Sequence, residues 1–354
     1  MNTCLVTGGA GFIGSHFVRA SLQQHCQQVI NLDKLTYAAC PATVSELAAL
    51  PGYQLAHGDI QDPALVRRVL AESQPRWVVN FAAESHVDRS IEAPDAFVRT
   101  NVLGTQTLLD ACLEYWRGLP DEAAKAFRLL HISTDEVYGS LGDQGAFTEE
   151  SPFRPNSPYA ASKAASDHLA RAYHHTYGLP VLISHCSNNY GSYQFPEKLI
   201  PLMILKAWAG EELPIYGDGA QVRDWLHVSD HVSALWTMLS AAEPGSEYVI
   251  GGDCEWTNKA VVQKICELLD QRQALPQGPR AALMRSVADR PGHDRRYAID
   301  ASRLRHDLGW RPQTDFAAGL AATIDWYLNA GAWLQAARDS GYQGQRLGQG
   351  RRQA

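Results

Sequence analysis

The chain lacks an apolar run long enough to cross a bilayer. Its most apolar stretch, Leu199 to Leu205, stops at Lys206, far short of the roughly 20 residues that a span requires. It has no cysteine pair at CxxC spacing: the seven cysteines, at positions 4, 26, 40, 112, 186, 254 and 266, are scattered and odd in number. Neither a disulfide framework nor a zinc site is indicated, no metal site is expected, and a reducing cytoplasm is the expected compartment. It has no basic excess: Lys and Arg number 31 against 38 Asp and Glu, a net charge of −7. That balance excludes a general nucleic-acid binder while leaving room for an anionic small ligand held by a few arginines. Internal repeats and low-complexity tracts are absent, and a glycine-rich loop beginning at Gly8 leaves no space for a signal peptide. What is there is an ordinary globular composition, 45% hydrophobic and 19% charged over 354 residues, enough for one large domain or two modest ones.

An apolar run over 3–7 leads straight into Gly8-Gly9-Ala10-Gly11-Phe12-Ile13-Gly14, and a helical pattern follows over about 15–24. Further strands are predicted at 29–33, 53–56, 77–81, 128–132 and 181–184, separated by helices at roughly 63–73, 95–117 and 158–177. Strands alternating with helices imply a doubly wound parallel sheet of the Rossmann type, covered on both faces. Beyond about residue 190 the pattern changes, as Pro196, Pro201, Pro214, Pro244, Pro291 and Pro312 cut the chain into shorter pieces. The expected division is a dinucleotide-binding domain over 1–190 that also carries the reacting groups, a smaller ligand-binding lobe over 191–345 with some segments returning to the sheet, and a partly disordered tail over 346–354.

Gly8, Gly11 and Gly14 lie between a strand and a helix. Glycines there let the backbone turn tightly and approach a pyrophosphate, while amides at the helix N-terminus point at the anion. Asp33 ends the second strand, where a carboxylate binds a ribose 2′-hydroxyl and repels a 2′-phosphate, so NAD is favoured over NADP. Asp59 and Ile60, after the next strand, are placed beside the adenine.

Tyr159 and Lys163 are spaced to share one helix face. A nearby ammonium favours the phenolate and is expected to lower the tyrosine pKa from about 10. Thr134, Asp135 and Glu136 fall at the C-terminal end of the strand over 128–132, where ligands gather in an open α/β sheet. An oxidation needs only the phenol; two adjacent carboxyls suggest a second reaction. If both are desolvated, one should be pushed toward its neutral form, supplying an acid and a base together. The plainer alternative is a pair of solvated loop charges, against which Tyr138 and Gly139 close the loop tightly. The segment Ala82 to Ser90 also follows a strand end. His86 within it suits a loop-holding histidine better than a general base. In the second lobe, Tyr216-Gly217-Asp218-Gly219, Arg223-Asp224-Trp225 and the stretch Asp289 to Tyr297 set arginines beside glycines. That suits a diphosphate, which guanidinium binds in bidentate fashion, with a surface salt-bridge network as the alternative.

Taken together, Asp33-Lys34-Leu35-Thr36-Tyr37-Ala38, the Ala83 to Ile91 loop, His131 to Gly139, Asn188-Asn189-Tyr190-Gly191, Gln194 to Pro201 and Asp289 to Asp300 resemble the dTDP-glucose 4,6-dehydratases. These are a nucleotide-sugar dehydratase family of the extended short-chain dehydrogenase/reductase superfamily, and the resemblance covers about residues 3 to 345. It implies that NAD oxidises sugar carbon 4, with Tyr159 as base, Lys163 beside it and Thr134 on the same oxygen. Glu136 then removes the carbon 5 proton, Asp135 protonates the departing carbon 6 hydroxyl, and the hydride returns to carbon 6. It places Phe12, Ile13, Lys34, Thr36, Ala82, Ala83, Ser85, Thr100 and Asn189 at the cofactor with the residues already named. It places Ser85, His86, Asn188, Asn189, Lys198, Leu199, Pro214, Tyr216, Arg223, Asn258, Asp289, Arg290 and His293 at the nucleotide-sugar, with Tyr342 closing over it. It also implies a homodimer through helices near 95–117 and 158–177. Two departures stand out: Ser192 where the family usually has proline, and Ala39-Cys40 in place of Gly-Asn. A dehydratase for a UDP- or GDP-sugar, and a non-catalytic nucleotide-binding regulator on the same fold, are the rival readings.

Overall fold

The computed structural model describes residues 2–340. Its centre is a seven-stranded, wholly parallel sheet of β1 (Thr3–Thr7), β2 (Gln28–Asp33), β3 (Tyr53–His57), β4 (Trp77–Asn80), β5 (Arg128–Thr134), β6 (Val181–Cys186) and, much later in the chain, β10 (Glu247–Ile250). The order across the sheet is β10-β6-β5-β4-β1-β2-β3. This is the doubly wound Rossmann-type α/β arrangement. β1, β4 and β6 are buried at every residue, which is why they read as continuous apolar runs without alternation. Successive side chains nonetheless serve opposite faces. Cys4, Val6, Trp77, Val79, Leu130 and Leu182 pack with Phe17 and Trp236 of the helices Phe12–Gln24 and Val228–Ala241. Leu5, Val78, Leu129 and Ile183 pack with the helices Pro63–Ser73, Thr105–Arg117 and Pro158–Tyr177.

The chain order reverses between β1 and β4, so the connections leaving these two strands part to opposite faces and open a crevice at the sheet's C-terminal edge. The helix expected over 95–117 has three parts: a short turn Pro94–Phe97, a π-helical stretch Val98–Gly104 and the α-helix Thr105–Arg117. The wider π turn carries Asn101 inward. There its side chain accepts from the Glu84 amide at 2.8 Å and donates to the Glu84 carbonyl at 3.0 Å and to Ser162 Oγ at 2.8 Å.

After residue 187 come β7 (Asn188–Tyr190), β8 (Leu213–Tyr216), β9 (Val222–His227), β11 (Glu255–Thr257) and β12 (Met284–Val287). They form a three-stranded sheet β11-β9-β7 and the pair β12-β8. Leu199–Ala209, Asn258–Arg272 and Phe316–Asn329 close a separate apolar cluster over these strands, around Tyr190, Trp225 and Leu320. Among the described residues no helix is long and apolar enough to cross a membrane. Tyr342 and the tail over 346–354 lie outside the described residues.

Candidate active site

The loop after β1 is shaped by its glycines. Gly8 has φ +71°, and a Cβ on it would lie 2.7 Å from the Ala82 nitrogen in the loop after β4. A Cβ on Gly14 would lie 2.4 Å from the Gly8 carbonyl oxygen, so only glycine lets the helix start this close to the strand. Asp33 secures the same loop: its carboxylate accepts from the Ala10 amide at 2.8 Å and the Leu35 amide at 2.8 Å. Together these groups wall a cavity of about 330 Å³. All the residues placed at a cofactor from the sequence line it: Gly8, Gly11, Phe12, Ile13 and Gly14 from the glycine loop, then Asp33, Lys34, Thr36, Asp59 and Ile60. Ala82, Ala83, Ser85, Thr100, Tyr159, Lys163 and Asn189 complete the set. Lys34 and Asp59 pair at 2.7 Å on its rim.

β5 ends at Thr134, whose hydroxyl accepts from the Glu136 amide at 3.3 Å and so caps a tight 3-10 turn, Asp135–Tyr138. Gly139 closes that turn at φ +84°, where a Cβ would meet the Arg154 carbonyl oxygen at 2.3 Å. Asp135 is only 2% exposed. The Thr134 hydroxyl lies 3.4 Å from its Oδ1, and its Oδ2 has no protein partner. Burial, followed by the charge of Glu136, pushes the Asp135 carboxyl well above the usual range. Burial also raises Glu136, but Arg290, Arg223 and Lys198 all draw it back. The two neighbours therefore differ in surroundings: burial and Glu136 push Asp135 toward its neutral form, while three cations oppose the burial of Glu136. Solvated loop charges they are not.

Ser157 starts the next helix by accepting from the Ala160 amide at 3.0 Å, with Pro158 in its first turn. Tyr159 and Lys163 follow on its buried face, at 9% and 4% exposure. The Lys163 ammonium donates to the Ile132 carbonyl at 2.8 Å. The expected lowering of the tyrosine pKa is corrected here. Burial first, then Glu136 and Cys186, raise the Tyr159 phenol well above its ordinary value, and a hydrogen bond with Thr134 only partly opposes them. Desolvation outweighs the ammonium.

A second cavity, about 410 Å³, adjoins the first; Glu136, Asn188, Glu197 and Lys198 line both. Its walls include His86, Leu199, Pro214, Tyr216, Arg223, Asn258, Arg290 and His293. Arg223 is fixed from behind, donating to the Val222 and Asp294 carbonyls at 2.7 and 3.1 Å with its guanidinium 4.2 Å from the Tyr297 ring centre. Arg290 pairs with Asp88 at 3.0 Å. Several buried polar atoms on this wall have no protein partner, namely Arg290 Nε, Trp225 Nε1, Asn188 Oδ1 and His86 Nδ1. Buried polar atoms are rarely left so, and a polar ligand would satisfy them. His86, 7% exposed, is held neutral by burial, its pKa lowered to about 2, which removes it as a base near neutrality.

Some placements differ from the sequence reading. Ser85, Thr134, Asp135 and Asn189 face the first cavity and not the second, and Tyr342 is outside the described residues. Asp289 lines neither cavity; it accepts from Gln221 Nε2 at 2.8 Å and pairs with His293 at 2.6 Å, so it orients the wall from behind. Glu197 was missed. Buried beside both cavities, it bonds Arg89 at 3.2 Å and Tyr37 at 3.2 Å, and a glutamate between Pro196 and Lys198 carries no local signal that would single it out. Cys186 and Tyr297 also line the site; Cys186 lies just past the strand predicted over 181–184, which runs on to it, and Tyr297 ends the arginine-bearing stretch from Asp289. Of the two departures, Ser192 lies beside His16, its carbonyl 2.9 Å from His16 Nε2, and Ala39 lines the first cavity.

A family model described as GDP-mannose 4,6 dehydratase matches residues 5–323. A dTDP-glucose 4,6-dehydratase from Xanthomonas campestris pv. campestris strain B100 is 58% identical over 98% of this chain and 99% of its own length. A dTDP-glucose 4,6-dehydratase from Streptomyces venezuelae, solved with NAD bound, superposes with a TM-score of 0.86 at 48% identity, covering 94% of this chain and 99% of that one. The enzyme of the same name from Bacillus anthracis, also with NAD, gives 0.84 at 44% identity over 95% and 100%. The chain belongs to the dTDP-glucose 4,6-dehydratase family.

Proposed function

We propose that the protein dehydrates dTDP-glucose to dTDP-4-keto-6-deoxyglucose, with NAD as its resident cofactor. The observation that carries this reading is the unequal pair Asp135 and Glu136, side by side at the meeting of two cavities with Tyr159 beside them. A simple oxidation has no use for that pair, and a binding protein has no use for any of the three.

The donor set suits NAD. The glycine loop leaves room for a pyrophosphate that a Cβ at Gly14 would disturb, and Asp33 at the end of β2 offers a carboxylate to a ribose hydroxyl. When bound, NAD supplies the reversible hydride acceptor of the cycle. Tyr159 takes the proton of the carbon 4 hydroxyl as its phenolate, a form that the positive nicotinamide of bound NAD and the Lys163 ammonium would favour against the burial that raises it, with Thr134 bonded to the same oxygen. The resulting ketone acidifies the carbon 5 proton, which Glu136 removes, its anionic form favoured by Arg290, Arg223 and Lys198 against the burial that raises its carboxyl. Asp135, pushed toward its neutral form and with Oδ2 unpartnered, gives its proton to the carbon 6 hydroxyl, which leaves as water. Arg223, Arg290 and Lys198 hold the diphosphate.

The 58% identity to a dTDP-glucose enzyme supports thymine as the base. A hydrophobic pocket discriminates a methyl by only about 1–3 kcal/mol, roughly 10–200-fold, so the discrimination against UDP-glucose should be of that size. A homodimer is supported by the exposed apolar side chains Val98 at 50%, Leu103 at 48% and Tyr177 at 45%, which lie on the two helical segments over 98–117 and 158–177. Seven free thiols support a reducing, cytoplasmic setting. The test is to incubate pure protein with dTDP-glucose, UDP-glucose and GDP-mannose in parallel and follow the near-ultraviolet absorbance of the 4-keto product in alkali. Product from dTDP-glucose first is expected. No product while NAD is bound overturns the reading. Light scattering after gel filtration tests the dimer.

A further inference from the structure

One layer below the site residues, a row of polar side chains runs through the sheet. Thr7, Asn80 and His131 are lateral neighbours on β1, β4 and β5, and Ser133 and His185 are neighbours on β5 and β6. All five are buried. Thr7 Oγ1 donates to Asn80 Oδ1 at 2.6 Å, which turns the Asn80 amide NH₂ toward His131 Nδ1 at 3.2 Å. A donor on that side makes Nδ1 the acceptor and puts the imidazole proton on Nε2. Nε2 lies 3.1 Å from Ser166 Oγ and 3.2 Å from Asp167 Oδ1. Asp167 Oδ2 accepts from Ser133 Oγ at 2.7 Å and lies 3.3 Å from His185 Nε2. Ser166 Oγ donates to the Lys163 carbonyl at 2.8 Å. The row therefore begins at the residue before Gly8 and ends one helical turn beyond Lys163.

Its one carboxylate is Asp167, fully buried in the helix Pro158–Tyr177. Facing it are Lys163 and Arg171 from its own helix, His131 from β5, His185 from β6 and Tyr138 from the 3-10 turn. Burial keeps His131 neutral near neutrality, its pKa lowered to about 4. Arg171 is already matched by Glu247, at 2.6 Å through both of its contacts. Among the described residues Lys163 makes no ion pair. Cys186, which also faces it, carries no charge at neutral pH, since burial raises its thiol to about 12. Asp167 is thus the anion that balances Lys163 across the helix turn.

We propose that Asp167 is a positioning residue for the reaction: it ties the strand ends under the site to the catalytic helix, and its buried carboxylate keeps Lys163 in the ammonium form. Lys163 shows why a countercharge is needed. Burial draws the amine down, and Asp167 is the largest charge opposing that. An unbalanced buried ammonium would lose its proton, and with it the charge that strengthens its bond to the Ile132 carbonyl and faces the first cavity. This inference rests on the dehydratase reading only in giving Lys163 a role beside Tyr159.

The test is an NMR titration of the Lys163 ε-carbon in the whole protein, with dTDP-glucose turnover by the unsubstituted protein measured alongside. Asp167→Asn keeps the size and one of the two acceptor oxygens and removes the charge; it should lower the Lys163 midpoint by about one unit or more. Ser133→Ala removes a hydrogen bond and keeps the charge, and should leave the midpoint in place. An unmoved midpoint in folded Asp167→Asn overturns the proposal. Should that variant not fold, the unsubstituted protein still decides: Lys163 must be an ammonium at pH 7, and a neutral Lys163 there overturns it. Failed turnover with an intact Lys163 response would instead count against the dehydratase reading alone.

Discussion

Asp135→Asn isolates one proton. Asparagine matches the shape of a neutral aspartic acid, can still receive the Thr134 hydroxyl, and offers a hydrogen bond but no transferable proton. Because burial and Glu136 push Asp135 toward its neutral form, the substitution should change the charge around Tyr159 little. Oxidation at carbon 4 should therefore persist. Loss of the general acid should slow elimination by roughly 10²–10⁴, about 2.7–5.4 kcal/mol on the barrier. Stopped-flow absorbance should show the reduced cofactor building up as water loss becomes limiting, while the alkali-sensitive product appears slowly. Stability should move the other way. A carboxyl whose folded pKa is raised contributes its stability fully at pH below the ordinary carboxyl range and loses it as pH rises through the folded value. The asparagine variant has no such loss, so its Tm near neutrality should exceed that of the unsubstituted protein, as expected of a residue kept for chemistry. Loss of hydride transfer ahead of elimination, with no build-up of reduced cofactor, would refute the assignment of roles.

Glu136→Gln should abolish solvent-deuterium incorporation at sugar carbon 5 while leaving carbon 4 oxidation. Because Glu136 is the largest charge raising Tyr159, the oxidation step should also shift its pH dependence to lower pH, read from single-turnover rates against pH. Arg290→Ala removes a charge-assisted contact worth about 1.5–3 kcal/mol; calorimetry should show dTDP binding weakened roughly 10- to 150-fold with NAD content unchanged. Gly14→Ala puts a methyl group 2.4 Å from the Gly8 carbonyl oxygen, and the purified protein should lose its bound NAD as measured after acid release.

The parts of the site set by local chain chemistry were legible in the sequence. Strand–glycine–helix spacing fixes the first cavity, and each residue assigned to it lines it. Tyr159 and Lys163 on one helix face needed only a period of 3.6 residues. What was not legible depends on burial and on contacts between segments far apart in the chain. The phenol of Tyr159 is governed by desolvation more than by Lys163, a balance that no spacing discloses. Glu197 matters through Arg89 and Tyr37, which are more than a hundred residues away. Asp289 looked like a ligand-binding group and proved to brace His293 and Gln221. The π-helical turn that swings in Asn101 lies inside a segment whose sequence pattern is plainly helical.

The division of labour between the adjacent carboxyls follows from where their neighbours originate. Asp135 and Glu136 come from one strand end, and the chain alone gives no reason for them to titrate apart. The three cations that draw Glu136 back toward its anion are Lys198, Arg223 and Arg290, and all three belong to the segments that follow the sixth strand. Asp135, turned toward the first cavity, has burial and Glu136 against it, with Arg223 the one cation that opposes them. Acid and base are thus distinguished only when the later segments fold over the sheet edge. A dinucleotide-binding sheet by itself would hold Tyr159 and Lys163; the cations that favour the Glu136 anion come only with the second set of segments. Arg223 and Arg290 line the second cavity and also act on Glu136, so an anion held there would be coupled to that carboxyl through shared charge. A bound diphosphate partly neutralises those cations and should raise the basicity of Glu136 at the moment the sugar arrives.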